Sequence, residues 1–373
     1  MENLNISKGS ILIYRVFDIG ESINIENVAG NLFPNSPMSR FKLKKITNAV
    51  IINNAPLSIS LGQLSVTLGG VDHRVDLQAK IWSFGAISLN FIFSIDNNFP
   101  LKNLIEHTSL IENSKEFNDI VNVKIHELTL QIDNIIQNKK IWKTHEDYVI
   151  YYIQEFSTQN DKMDLQDLIN KNDILFSVLI NEGKEVLSEQ LKNTLKENIF
   201  QYSKNDMVII DWNSAIIIEP SGDLDIPDII EFSLCQLLEL RYYDDLLDKE
   251  LNALYKSIDK ETFNILSKNY VKTSREAAKK YIEISEIIEN IENSLKVVGD
   301  FYYAKIFRAV SNKFRSNDWT KSVNEKLNNL AEISKLLQHE ISERRSTYME
   351  MIIIILISIE LIPLLVSALQ GVF

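Results

Sequence analysis

Alternation of apolar and polar positions marks the first hundred residues. Val75, Leu77, Ala79 and Ile81 alternate with polar residues, and Ile87, Leu89, Phe91, Phe93 and Ile95 repeat the pattern. A period of two puts each set on one face of a strand. With Ser83, Phe84 and Gly85 as the turn, 75–81 and 86–95 predict a hairpin with one buried face. The run 10–17, ended by Asp18, Ile19 and Gly20, predicts another strand, and 49–52 and 58–68 predict two more.

From residue 101 the apolar spacing lengthens to three and four. Helices are predicted over 101–113 and 114–138, the second carrying Ile125, Leu128, Ile132 and Ile135. Residues 147–153 return to strand, 165–181 and 186–202 are mixed helical stretches, and 207–211 with 215–219 predict a short strand pair. Residues 220–228 read as a helix start: Asp225 can cap, Pro227 suits a first turn, and acids suit the positive end of the helix dipole. That helix is predicted over 220–258, ending near Tyr255, before a segment at 262–271.

The last quarter, 273–373, reads as a long helical hairpin. Tyr281, Ile284, Ile288, Ile291, Leu295, Val298 and Tyr302 form a heptad seam, with Lys279, Lys280, Glu283, Glu286, Glu289 and Glu292 on the other faces. The second arm is expected to start at Asn317 or Asp318, both capping residues. Val323, Leu327, Leu330, Leu337 and Ile341 repeat the spacing. Ser334 and Arg344 interrupt it, and Ile333 and Leu336 widen it. The arms are expected to pack on each other; pairing with a second chain is the alternative.

The tail 351–373 follows without a helix stop. A spanning helix needs about 20 apolar residues. This run has that length, with Met351, Ile355 and Ile359 among its apolar positions and Glu360 and Pro363 inside it. Arg344 and Arg345 precede it and no charge follows, which predicts the body of the protein on the cytoplasmic side. A buried core helix is the alternative. Glu360 is costly in hydrocarbon. Protonation, a hydrogen bond to a neighbouring helix in an oligomer, or a bend at Pro363 that lets the anchor only dip into the bilayer would each lower the cost. The oligomer is preferred, because Ser358 and Glu360 both suit a neighbouring helix.

Composition narrows the setting. A chain of 373 residues suits two domains or one elaborate one. The net charge of −12 argues against general nucleic-acid binding, because phosphate contacts need a basic surface. The one cysteine, Cys235, excludes internal disulfides and Cys-rich metal sites and fits a reducing compartment. The first residues show neither a secretory signal nor a transit peptide, so the tail is expected to do the targeting.

Catalytic patterns are hard to find. The eleven glycines form no phosphate loop and no G-x-G-x-x-G, and the five histidines form no H-x-x-x-H. His145, Glu146 and Asp147 are a small polar cluster expected in a loop. Asp223, Asp225, Asp228 and Glu231 can bind a hard cation, but capping and solvation explain them as well. Asp244, Asp245 and Asp248 follow Arg241 on a helix surface and suggest ion pairs. One stretch departs from the acidic background: 304–316 carries Lys305, Arg308, Lys313 and Arg315 and no acid. With Phe307, Val310 and Phe314 it predicts a short amphipathic helix. It is either a lid packed on the fold, a docking surface for an acidic partner or RNA, or a contact with a membrane surface.

Asp300-Phe-Tyr-Tyr303, Trp319, Lys326-Leu-Asn-Asn-Leu330, Arg344-Arg345 and the run 351–360 resemble the "required for meiotic nuclear division" family, as does the helix around 238–248. The resemblance covers 225–362 well and the N-terminal third loosely. It implies a membrane-anchored α+β protein without an assigned activity, with bacterial and mitochondrial relatives, some of the latter supporting organelle translation. It supplies no catalytic residue. The missing transit peptide favours a bacterial or cytosol-facing relative.

The expected architecture is α+β. A β-rich body spans 1–219, a helical domain with the long antiparallel hairpin 220–350, and a membrane anchor 351–373. The expected function is a non-enzymatic scaffold held at a membrane, with no cofactor, no metal, and the anchor as a route to a homo-oligomer. Met351, Ile355, Ile359, Glu360 and Pro363 are the anchor residues. Lys305, Arg308, Lys313 and Arg315 are the candidate partner-binding residues. The rivals are a hydrolase or nucleotide-using enzyme with an acidic site near Asp223–Asp248, and a coiled-coil tether.

Overall fold

The computed structural model describes residues 4–25, 38–40, 50–52, 55–157, 165, 168–169, 173–183, 185–260, 268–293, 295–297 and 301–370. Its strands and helices run β1 (Asn5–Asp18), β2 (Ser22–Ile23), β3 (Met38–Arg40), β4 (Val50–Ile52), β5 (Leu57–Leu68), β6 (Val71–Ile81), β7 (Ala86–Pro100), α1 (Asn103–Glu112), α2 (Lys115–Gln131), β8 (Ile136–Gln137) and β9 (His145–Ser157). They continue as α3 (Ile174–Leu179), α4 (Glu189–Lys196), β10 (Ile199–Phe200), β11 (Met207–Ile210), β12 (Ser214–Ile218), α5 (Asp225–Lys260), α6 (Lys268–Asn293), β13 (Leu295–Val297), α7 (Phe301–Lys313) and α8 (Ser316–Gln370). The fold is mixed α+β: a sheet-bearing body, then helices. The chain forms two compact units, one of Met1–Tyr242 with Ile287–Thr320 and one of Tyr243–Glu286 with Lys321–Phe373.

In the first unit nine strands form one sheet in the order β10-β11-β12-β9-β1-β7-β6-β5-β3. The expected hairpin is present, with β6 on β7 from Val75↔Phe93 to Ile81↔Ile87. Its turn needs a glycine. Gly85 has φ +105, and a Cβ there would collide with the carbonyl oxygen of Gly20. β12 joins β9 in parallel, which requires a crossover; the chain between them supplies it with α3, α4, β10 and β11.

The two faces of this sheet differ in kind. On one, Ile11, Ile13, Val75, Leu77, Leu89, Phe91, Val149 and Tyr151 join Leu104, Ile111, Phe117, Val121 and Leu128 of α1 and α2 in a single apolar core. Ser114 Oγ caps α2 by accepting from Phe117 N at 3.1 Å, which fixes the turn that places Phe117 5–6 Å from the Phe91 and Phe93 rings, at 4.9 and 6.1 Å between centroids. The other face, one residue out of phase, presents Tyr14, Lys80, Ser88, Tyr148 and Tyr152, all less than a tenth exposed, and α5 lies over it.

The second unit joins the second half of α5, most of α6 and α8. Leu247 and Leu251, Ala277 and Ile284, and Val323, Leu327, Leu330 and Leu337 are among its buried side chains. The two predicted arms therefore do pack together, and α5 adds a third helix. Lys326 Nζ bridges Asp244 Oδ1 at 2.9 Å and Asp248 Oδ2 at 2.7 Å, and Lys280 pairs with Glu250.

Several boundaries differ from the sequence reading. The seam drawn through Leu295 to Tyr302 is not one helix: α6 stops at Asn293, β13 pairs Leu295–Val297 with β4, and α7 begins at Phe301. The β-branched Val297 favours the extended conformation that β4 offers. Residues 133–137 leave the helix expected to Asn138 and become a 3₁₀ turn and β8. His145, Glu146 and Asp147 are not a loop but the first residues of β9, opposite Phe17, Val16 and Arg15. α5 runs on to Lys260. Val298, Asp300, residues 262–267 and 371–373, and the side chains of 364–370 lie outside the described residues.

Candidate functional site

The anchor residues stand on α8, which continues from the packed unit into the tail without a break and carries Pro363 inside it. Among the described residues, Leu337 is its last buried side chain. From Met351 to Ile362 every large apolar side chain is at least half exposed, and none of the apolar stretch is buried within the chain. Among the described residues this is the one helix long and apolar enough to cross a membrane. Met351, Ile355 and Ile359 show apolar surface, Glu360 is exposed among them, and Ser358 Oγ donates to Ile354 O at 2.7 Å. Pro363 has no N–H, so the carbonyl of Ile359 lacks its helical partner.

The basic segment forms α7, as its spacing predicted, but the buried stripe is Tyr303, Ile306 and Val310, with Phe307 only half-buried. Phe314, just beyond it, meets the Tyr148 ring edge-on at 5.5 Å. Lys313 Nζ reaches Asp211 Oδ1 at 3.0 Å, and Arg315 pairs with Asp318 at 2.8 Å. Lys305 Nζ lies 5.3 Å from the Phe200 ring centroid, and Arg308 Nε donates to Ala304 O of its own helix. The helix thus packs as a lid on its own unit, while Lys305 and Arg308 stay at the surface.

Between α5 and the polar face of the sheet lies a buried charged layer; the sequence singled out its acids Asp228 and Glu231 as a cation site or as solvated caps, but not Lys80. Lys80 Nζ bridges Asp228 Oδ1 at 2.5 Å and Glu231 Oε2 at 2.6 Å. Burial works against the Lys80 ammonium, yet the two carboxylates outweigh it and hold its pKa above the usual lysine value. Burial raises the Asp228 carboxyl to about 6 against the pull of Lys80. Burial also raises the Tyr14 hydroxyl, helped by the same two acids. Cys235 follows one turn later on α5; burial and then Glu231 and Glu239 push its thiol up, so it is no nucleophile at neutral pH. In the sequence Lys80 is one of the polar positions of an alternating strand, so no local signal sets it apart.

Farther along the same helix face, Glu239 and Asp18 form a second buried acidic pair, 0% and 1% exposed. Asp18 Oδ1 accepts from Gly20 N at 3.1 Å, while Asp18 Oδ2 and both Glu239 oxygens have no hydrogen-bond partner among the described residues. Burial lifts Asp18 to about 7 and Glu239 well above its usual value, Asp18 itself adding to the latter. The remaining acids of the predicted acidic site are dispersed. Asp244 and Asp248 serve Lys326, and Glu146 pairs with Arg241, whose guanidinium also lies 5.8 Å from the Trp319 ring centroid. His145 stacks on Phe17 at 5.3 Å and Asp147 pairs with Arg15 at 3.2 Å. Among the described residues no three His, Cys, Asp or Glu side chains converge as a metal site.

This arrangement matches a known sequence pattern over its sheet-bearing part. Residues 8–224, from β1 to just before α5, match the family described as "Uncharacterized protein MJ0711, N-terminal domain". The uncharacterized protein MJ0711 of Methanocaldococcus jannaschii is 27% identical over 291 residues, 78% of this chain and 83% of that protein. No solved structure matches. The matched span takes in every strand of the nine-stranded sheet, so the chain belongs to the family of the uncharacterized protein MJ0711, N-terminal domain.

Proposed function

We propose that the chain is a non-enzymatic scaffold held at a membrane by α8, with its sheet-bearing unit on the cytoplasmic side and available to a protein partner. The observation that carries this reading is the tail: an unbroken helix whose apolar run from Met351 leaves its side chains exposed, directly after the basic pair Arg344 and Arg345. Water would be a poor solvent for such a run, and burial in hydrocarbon gains about 25 cal/mol per Å² of apolar surface. The resemblance to the "required for meiotic nuclear division" family rests on 225–362, which the matched family pattern of 8–224 leaves out, and it points the same way. Four acids of the stretch Asp223–Asp248 serve as ion-pair partners, which supports a structural role for them: Asp228 and Glu231 with Lys80, Asp244 and Asp248 with Lys326.

Alkaline carbonate extraction tests the reading. Full-length protein is expected to stay in the membrane pellet. A chain ending at Ser346 is expected to be soluble and folded, because no side chain beyond Leu337 is buried among those described. Release of the full-length protein by carbonate would sink the integral anchor.

A further inference from the structure

We propose that the first unit carries a docking groove for an acidic peptide segment with one large apolar side chain, at the end of the sheet where α7 begins. The groove encloses about 420 Å³, within the usual range for ligand sites. Its walls are Phe200 and Tyr202, at and just past β10, and Phe301, Tyr302 and Lys305 of α7. Tyr202 and Phe301 are 75% and 77% exposed, a large amount of aromatic surface to leave in water. The Tyr202 and Tyr302 rings stand 5.4 Å apart at 57°, so an apolar side chain entering the groove meets aromatic faces and edges together.

Charge selects the occupant. No acid is among the described residues that line the groove. Phe301, Lys305 and Arg308 recur at four and three residues on the exposed face of α7, which aligns one ring and two cations. Lys313 and Arg315 are already met by Asp211 and Asp318, so the outward cations are Lys305 and Arg308. In a chain of net charge −12 an acidic segment is repelled from most of the surface and drawn to this patch. Backbone geometry adds a second reason. β10 is the end strand of the nine-stranded sheet, and an extended peptide can extend the sheet at its outer edge while a side chain fills the groove.

The inference rests on the scaffold reading and gives its partner's chemistry, yet the two fail separately: carbonate extraction reads the anchor and peptide binding reads the groove. Nonapeptides displayed on phage are selected on the full-length protein in detergent, and the selected peptides are then measured by fluorescence anisotropy. Selected sequences are expected to carry a large apolar residue beside Asp or Glu. Lys305→Glu and Tyr202→Ala are each expected to weaken their binding about tenfold or more without moving the thermal midpoint, since both side chains are exposed. Arg308→Glu provides a second charge reversal outside the groove wall. Selection of basic peptides, or of none that tells the wild type from these variants, overturns the proposal. Displacement of the peptides by a single-stranded oligonucleotide at lower concentration also overturns it and makes the groove a nucleic-acid site.

Discussion

Ser274 and Ser334 donate to each other's backbone carbonyls across α6 and α8, at 3.3 and 3.2 Å. Both side chains are buried, and each satisfies its hydroxyl by the opposite backbone rather than by its own helix. Ser334 had interrupted the apolar seam of the second arm. The structure gives the reason: two small polar side chains meet at that level and bond reciprocally where larger apolar ones would have to interdigitate.

Enlarging this contact is expected to be costlier than deleting it. Ser334→Ala removes one hydrogen bond, worth about 1 kcal/mol. Ser334→Leu forces a branched side chain into the same space and is expected to cost about 1–3 kcal/mol. Urea midpoints of the chain ending at Ser346 would read both changes. Equal midpoints for the wild type and Ser334→Leu would show that the arms are not in contact there.

Much of the fold could be read from the sequence because its periods are clean. Val75 to Ile81 and Ile87 to Ile95 alternate strictly, and only one register buries both sets. The extra length of β1 was hidden by Ser7 to Gly9, a polar run that β7 and β9 cover on both sides. The break at 295–297 was hidden too. Leu295 fits a heptad as well as a strand, and only the pairing with β4, distant in sequence, decides between them. Lys80 escaped for the same reason. Its two carboxylate partners lie about 150 positions away on α5, and no local pattern joins them. The groove residues Tyr202 and Phe301 come together from two segments that the sequence had assigned to different domains.

Lys80 is expected to be the most sensitive charged position in the first unit. Lys80→Met leaves Asp228 and Glu231 buried without their cation, a change that costs about 3–5 kcal/mol for buried pairs of this kind. Adding Asp228→Asn and Glu231→Gln to Lys80→Met removes the stranded charges and is expected to recover a large part of the loss. A triple variant no more stable than Lys80→Met in chemical denaturation would mean that packing, not charge, governs this layer.

Asp18 and Glu239 give stability a definite pH trend. An unfolded aspartate titrates near 3.9, roughly, whereas burial holds Asp18 at about 7 in the fold. Between those values the folded chain keeps a proton that the unfolded chain has released. Their contribution is therefore full at low pH, falls as pH rises through this window, and is lost above it. Burial raises the Glu239 carboxyl as well, so it adds to the trend in the same direction. Glu239→Gln removes one buried charge and keeps the shape, so the difference in unfolding midpoint between about pH 5 and about pH 8 is expected to shrink. An unchanged difference would assign the pH trend to other groups.

Glu360 and Ile359 set the last expectation. In a membrane-held chain they place a carboxyl and a carbonyl freed by Pro363 at one level of an otherwise apolar helix. An acidic side chain there costs about 2.5–3.5 kcal/mol on insertion scales. A second copy of the helix at the same depth offers each group a partner if the carboxyl is un-ionised, its O–H then donating to the freed carbonyl or to the carboxyl of the other copy, and a two-fold arrangement satisfies both copies at once. Glu360→Leu is then expected to strengthen membrane retention and to weaken self-association. Retention is read by carbonate extraction and self-association by crosslinking in detergent at equal expression. Crosslinking unchanged in Glu360→Leu would remove the paired anchor and leave a single helix bent or dipped at Pro363.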